Sequence, residues 1–243
     1  MKKIAFLFLL LISSGILTAE ESLEAFLDRA RHGNTMSTYA MLDGTLQHRR
    51  RGEKSLEMPI YFGVMIRPDK SSGQVILDQR EACLVGQSHT TGGATVIPQG
   101  KISTALFDRV GLQVSDLTLG FIYYPVEKEL AQAFVGGIVP CRVVRFAVPD
   151  HPGDTVQVAF SREYAFPLQA EFFHRGEKKS YRLLEVSGFT KKNDLYYAEQ
   201  ILIEGPGWRT RINFKEATLG LLDAAPPSGI IRSLPELPAQ KGE

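Results

Sequence analysis

The stretch from Ala165 to Phe214 constrains this chain most, because it reads as consecutive antiparallel strands separated by recognisable turns. Ala165 to His174 forms one strand, turns at Arg175-Gly176-Glu177-Lys178, and meets a second strand from Ser180 to Ser187. Another turn, Gly188 to Asp194, leads into Leu195 to Glu204, and Gly205-Pro206-Gly207 reverses the chain into Trp208 to Phe214. In this last strand Trp208, Thr210, Ile212 and Phe214 share one face, while Arg209, Arg211, Asn213 and Lys215 share the other. A period of two of this kind buries one face and leaves the other in water. The chain is therefore organised around a meander with one apolar side that something else must cover.

At the N-terminus Lys2 and Lys3 precede an apolar run from Ile4 to Leu11 and a small-residue region ending at Ala19, the pattern of a secretory signal peptide over 1–19. Cleavage is expected after Ala19, with Gly15 as the alternative, and the apolar run is shorter than the roughly 20 residues a membrane span needs. The mature protein is expected to be periplasmic and not lipidated, since no cysteine lies near either cleavage point. The chain carries 28 Lys and Arg against 27 Asp and Glu, and loss of Lys2 and Lys3 leaves the two signs nearly balanced. A balance of this kind argues against nucleic acid as the main partner.

The segment 20–222 is expected to form one domain. Glu20 to Gly33 is an amphipathic helix with Leu23, Phe26, Leu27 and Ala30 on one face and Gly33 as its stop. Strands follow at Tyr39–Arg49, Pro59–Arg67, Gln74–Asp78 and Ala82–Gly86, with Arg67 to Gly73 as a turn. Gly92-Gly93 is a break, and Ile102 to Phe121 reads as short helical turns with Ser103 and Ser115 as caps. Ala131 to Gly137 is ambiguous, and Cys141–Val148 and Thr155–Phe160 are strands. Residues 223–243 form a Pro-rich tail with little regular structure. A helix ahead of many antiparallel strands, with a small helical insertion, predicts an α+β fold: a strongly curved antiparallel sheet wrapped around a few short helices. Periodicity alone equally allows a closed lipocalin-like barrel or a sandwich.

The order of a Pro167-Leu168-x-Ala170-Glu171-Phe172-Phe173 strand, a Gly turn, a Lys-rich hairpin and a strand after Gly205-Pro206-Gly207-Trp208 resembles the LolA-like outer-membrane lipoprotein-sorting family. Val114 to Phe121 and Gly137 to Arg145 resemble the segments that precede this meander in less typical bacterial members, so the resemblance spans Ser22 to Leu222. It implies an incomplete β-barrel with a hydrophobic cavity between sheet and helices. It also implies a monomeric periplasmic carrier of acylated lipoproteins or lipids that exchanges cargo with inner- and outer-membrane transport components. A lipoprotein-responsive sensor or adaptor of the same fold is the first rival, and an enzyme on a lipocalin-like barrel the second.

Signals for catalysis or cofactors are weak. His32, His48, His89, His151 and His174 lack the spacing of a metal site and read as surface or capping residues. Gly205-Pro206-Gly207 precedes a strand and has Thr210 where a dinucleotide fingerprint needs glycine. No catalytic, metal or cofactor residue is therefore expected. Cys83 and Cys141 sit in apolar strands, and both a disulfide and two buried thiols remain open. The basic run His48-Arg49-Arg50-Arg51 with Lys54 is either a solvated hairpin tip or a transient contact with anionic lipid headgroups or a membrane partner. The expected lipid-binding wall is Tyr39, Met41, Phe62, Val64, Ile66, Phe172, Leu183, Trp208 and Ile212, with Leu168, Tyr197 and Phe214 beside them. An acyl chain against such a wall gains about 0.8 kcal/mol per methylene without polar chemistry.

Overall fold

The computed structural model describes residues 21–32, 37–99, 105–222 and 226–234. The expected leader, the helix stop at Gly33 and the cap at Ser103 lie outside them. Helix α1 (Leu23–His32) precedes β1 (Thr38–Arg50), β2 (Leu56–Ile66), β3 (Lys70–Leu77), β4 (Glu81–Ser88) and β5 (Ala94–Gln99). A helical insertion follows, consisting of α2 (Ala105–Arg109), α3 (Val114–Thr118) and a 3-10 turn at Gly120–Tyr123. The chain then returns to the sheet as β6 (Val126–Val135), β7 (Val139–Ala147), β8 (Thr155–Ser161), β9 (Pro167–Phe173), β10 (Arg182–Lys192), β11 (Leu195–Gly205) and β12 (Trp208–Leu221).

All these strands lie in one 12-stranded sheet of order β5-β4-β3-β2-β1-β12-β11-β10-β9-β8-β7-β6, and each neighbouring pair is antiparallel. Pairing of β1 with β12 joins the first and last strands at the centre of the sheet. The two edge strands, β5 and β6, are consecutive in sequence and connected by the helical insertion, so the barrel stays open. This is the α+β, curved-sheet architecture expected from the sequence.

The long central pair bends where its register shifts between Asp43 and Gly44. A Cβ on Gly44 would lie 2.3 Å from the Asn213 carbonyl oxygen, so only glycine lets the two backbones approach this closely. The hairpin between β10 and β11 turns on Asn193 and Asp194 alone, whose φ angles of 50° and 61° are the left-handed pair of a tight two-residue turn.

The sequence-based boundaries differ from the structure where a ladder overrides local turn propensity. Ser71, Ser72 and Gly73, expected in a turn, pair with Ile66, Met65 and Val64 and start β3 early. Strand β10 runs on to Lys192 through the expected turn at Gly188, because Phe189 to Lys192 find partners on β11. Strand β12 continues past Phe214 to Leu221, since Thr38 to Asp43 of β1 need partners. Strand β9 begins at Pro167, because Ala165 adopts a left-handed φ of 52°. Ala131 to Val135, ambiguous in sequence, belongs to the bulged edge strand β6. The opposite edge, β5, tolerates Pro98 because no further strand needs its N–H. Helix α3 is capped at Gln113, not Ser115: the Asp116 carboxylate accepts the Gln113 backbone N–H at 2.7 Å.

The main core fills the concavity. Inward residues of the sheet, such as Leu46, Val75, Val144, Phe160, Ile203 and Ile212, meet Phe26 and Leu27 of α1 and Phe107, Val110, Leu117 and Phe121 of the insertion. Phe26 stands edge-on to Phe160 at 5.9 Å, and Phe121 does the same to Phe172 at 5.8 Å. Each buried aromatic ring contributes on the order of 1.5–3 kcal/mol of hydrophobic stabilisation. Cys83 points into this core and Cys141 into a separate outer cluster with Val143, Ala159 and Leu168, so both are free thiols. Burial pushes the Cys83 thiol up to about 11.

Candidate functional site

Two helical pieces cover the inner face of the sheet, and they are tied to it at different places. Helix α1 lies over the β6 to β8 end. Arg142 on β7 stacks on Phe26 at 4.7 Å, donates to the Glu21 carbonyl at 2.8 Å and pairs with Glu129 at 2.7 Å. Arg31, at the other end of α1, donates to the Ile122 carbonyl at 2.8 Å and to that of Tyr124 at 3.2 Å, joining the two helical pieces. Its burial lowers its pKa.

The insertion lies across the middle of the concavity and is held by polar contacts inside an otherwise apolar interior. The fully buried Asp116 carboxylate accepts both terminal nitrogens of Arg182 on β10, one of them at 2.6 Å, and Arg182 also donates to the Gly111 carbonyl at 3.1 Å. Its guanidinium lies over the Phe172 ring at 5.3 Å. Thr210 donates its hydroxyl to the Val110 carbonyl and accepts from His48 Nδ1 at 2.8 Å. Thr118 donates to Gln87 at 3.2 Å, and the Leu106 N–H donates to Glu81 at 2.9 Å. Polar groups buried at such depth must be paired, so each of these contacts fixes the insertion against one strand.

Two histidines expected as surface or capping residues are interior. His48 is buried, and with Nδ1 bonded to Thr210 its Nε2 meets no protein partner among the described residues. Desolvation, reinforced by Arg50 and Arg109, holds its pKa below the ordinary value. His89 lies 2.8 Å from Ser71 Oγ, faces the Pro68 carbonyl at 3.2 Å and stacks on Tyr123 at 4.5 Å. The Ser71 and His89 side chains are both closed off under Tyr123, where they brace β3 against the turn after β4. Burial pushes the Tyr123 phenol up to about 12. His174 is exposed and bonds Asp154 at 3.0 Å, and His151 is exposed. The His32 side chain lies outside the described residues.

The expected lipid-binding residues divide between the two faces. Phe62, Val64, Phe172 and Ile212 point inward, and Phe214 joins them, all packed in the main core. Trp208 and Tyr197 are half-buried at its margin, and Ile66 stands at the rim, 40% exposed. Tyr39 and Met41 point outward: they pair with Met65 and Gly63, and Met41 packs on the outer cluster of Tyr61, Ile76 and Ala82. Leu183, opposite Glu171 and Glu204, also points outward, as does Leu168. The inward set of β1 is instead Leu42 and Leu46. A one-residue error in phase moves a whole strand to the other face, and Tyr39 and Met41 are as apolar as the residues that point inward. Asp116 and Arg182 are absent from the expected set, because Asp116 stands between Ser115 and Thr118 and Arg182 close behind Lys178 and Lys179, where a charge carries no local sign of burial.

Below α1 an apolar groove of about 510 Å³ is lined by Leu23, Leu27 and Val126, with Glu24, Asp28 and Arg31 at its border. Leu27 borders the groove and packs in the main core, so the groove lies against the core between α1 and the first residue of β6. Its volume falls in the range of small-molecule sites. No three His, Cys, Asp or Glu side chains converge on a metal position among the described residues, and no described helix is long and apolar enough to cross a membrane.

No family model matches the chain, and no curated protein does. Solved structures do match. A DUF1329 family protein from Desulfovibrio piger superposes with a TM-score of 0.61 at 14% identity, over 79% of this chain and 89% of that one. A structure described as an outer membrane lipoprotein-sorting protein domain from Vibrio parahaemolyticus gives 0.56 at 16% identity, over 82% and 90%. A LolA superfamily protein from Nitrosomonas europaea gives 0.51 at 10% identity, over 86% and 97%. The open 12-stranded sheet with helices in its concavity is therefore a LolA-like fold, as the strand order of the meander implied.

Proposed function

We propose that the protein is a periplasmic carrier that takes up the acyl moiety of a lipoprotein, or a lipid, between the sheet and its helical cover. The observation that carries this reading is the groove between α1 and the β6 edge, whose floor residue Leu27 is also part of an interior paved by apolar side chains. The interior is packed, so an acyl chain would enter by displacing helical side chains. Short helices held at a few polar points are cheaper to displace than strands of a ladder. The LolA-like fold supports the reading, as does the secretory pattern of 1–19.

Cargo binding of this kind needs no catalytic group. Burial of methylenes supplies about 0.8 kcal/mol each, and release needs only that the helical cover re-form its own contacts. Native mass spectrometry of protein purified from periplasm should find a bound acylated polypeptide or phospholipid. In solution a fluorescent fatty-acid probe should bind wild type, and Val126→Asp at the groove should weaken it several-fold without lowering the melting temperature. Failure of wild type to bind any acylated ligand would remove the carrier reading.

A further inference from the structure

The outer face of the sheet is wet over most of its area, but one part of it is built to hold a peptide. Residues 226–234 cross β1 to β3 without regular structure, and alternate residues face the sheet: Ile230 is buried, Arg232 is half-buried, and Leu234 packs on the cluster of Tyr61, Ile76 and Ala82. The Tyr61 hydroxyl donates to the Gly229 carbonyl at 3.1 Å and to that of Ile230 at 2.9 Å. Gln74 makes the two bonds a neighbouring strand would make: its Nε2 donates to the Arg232 carbonyl at 2.9 Å, and its Oε1 accepts the Arg232 N–H at 2.8 Å. The Arg232 guanidinium pairs with both oxygens of Asp43 at 2.6 and 2.7 Å and lies 3.4 Å above the Tyr61 ring. Beneath, a Cβ on Gly63 would lie 2.3 Å from the Ile230 carbonyl oxygen, so glycine makes room for the passing backbone.

Gln74 is 0% exposed on a face that would otherwise be solvated. That amide is satisfied by the backbone lying over it together with Gln99, whose Oε1 accepts from Gln74 Nε2 at 2.5 Å, since a buried polar side chain needs partners. Main-chain bonds with pockets for alternate side chains are the physics of extended-peptide recognition.

We infer that this outer face is a recognition site for an extended peptide with Ile, Arg and Leu at alternate positions. Its resident ligand is the chain's own segment 226–234, and a segment of like chemistry from another protein binds when the tail lifts. The tail leaves the sheet at Leu222, so the short tether holds it at an effective concentration on the order of millimolar, and the free site is masked until it is released.

The test uses the full chain with the tail disabled by Ile230→Asp and Arg232→Ala, and a fluorescent peptide of the wild-type sequence 226–234. The disabled chain should bind the peptide saturably and at least about tenfold more tightly than wild type, whose site is occupied. Adding Asp43→Arg should abolish binding, and a peptide carrying Arg232→Glu should restore it. A folded, disabled chain that ignores the peptide, or binding indifferent to Asp43→Arg, overturns the inference. Should the disabled chain not fold, amide exchange on wild type decides: the Arg232 amide should be protected, and excess free peptide should accelerate its exchange. An unprotected Arg232 amide, or one indifferent to the peptide, overturns it equally.

Discussion

The two faces of the sheet are covered in opposite ways. Inside, the helical insertion presents Phe107, Val110, Leu117 and Phe121 to a continuous apolar wall, and polar groups appear only as isolated fixings such as Asp116 with Arg182. Outside, the segment 226–234 is held by bonds from Tyr61 and Gln74 to its backbone and by the Arg232–Asp43 ion pair, with Ile230 buried. The inner cover is thus held by area, which is non-directional and tolerant of rearrangement. The outer one is held by directed bonds that specify register. A non-directional interior suits a chemically plain guest such as an acyl chain, whereas a directed surface suits a peptide.

The largest effect should come from breaking the buried Asp116–Arg182 ion pair of the inner cover. Asp116→Ala leaves the Arg182 guanidinium buried without its carboxylate and should cost roughly 3–5 kcal/mol in urea unfolding, whereas replacing both partners with apolar residues should cost much less. Equal losses from the single and double variants would mean that Asp116 acts as a helix cap and not as a fixing.

Nearly as large, and directed at the apolar wall itself, is Phe62→Ala. Phe62 is 5% exposed in a packed core, so the loss should be about 3–5 kcal/mol, while Ile66→Ala at the rim should cost on the order of 0.5 kcal/mol. Similar melting temperatures for the two variants would show that Phe62 faces a void.

A pH titration probes the contact where His48 meets the insertion. Because the folded pKa of His48 is lowered, the unfolded chain binds the proton more readily. Its neutral form is accommodated in full above pH about 6.5, and stability is lost as pH falls below that value. His48→Gln should show a smaller drop in urea midpoint between pH 7.5 and 5 than wild type, and an identical drop would place the pH sensitivity elsewhere.

The smallest effect belongs to the outer strap. Tyr61→Phe removes one hydroxyl donor and should cost about 1 kcal/mol, expressed as faster amide exchange confined to 226–234. A change spread over the insertion as well would mean that the two covers are coupled through the sheet.

By itself the sequence determined the strands of the meander, the inward set of Trp208, Ile212 and Phe214, the amphipathic α1 and the helical character of the insertion. Those features are written in periods of two and about 3.6 residues, which need no knowledge of partners. Tertiary structure alone decided which face Tyr39, Met41 and Leu183 occupy, because register depends on the neighbouring strand and not on the residue. It also decided that β12 pairs with β1, that His48 and His89 are interior, and that Cys83 and Cys141 never meet. Each of these turns on contacts between residues far apart in the chain, where local preference carries no information. The fate of the Pro-rich tail is the clearest case. Its composition forecast a lack of regular structure, but only the presence of Gln74, Tyr61 and Asp43 on one patch of sheet gives that irregular segment a place to bind.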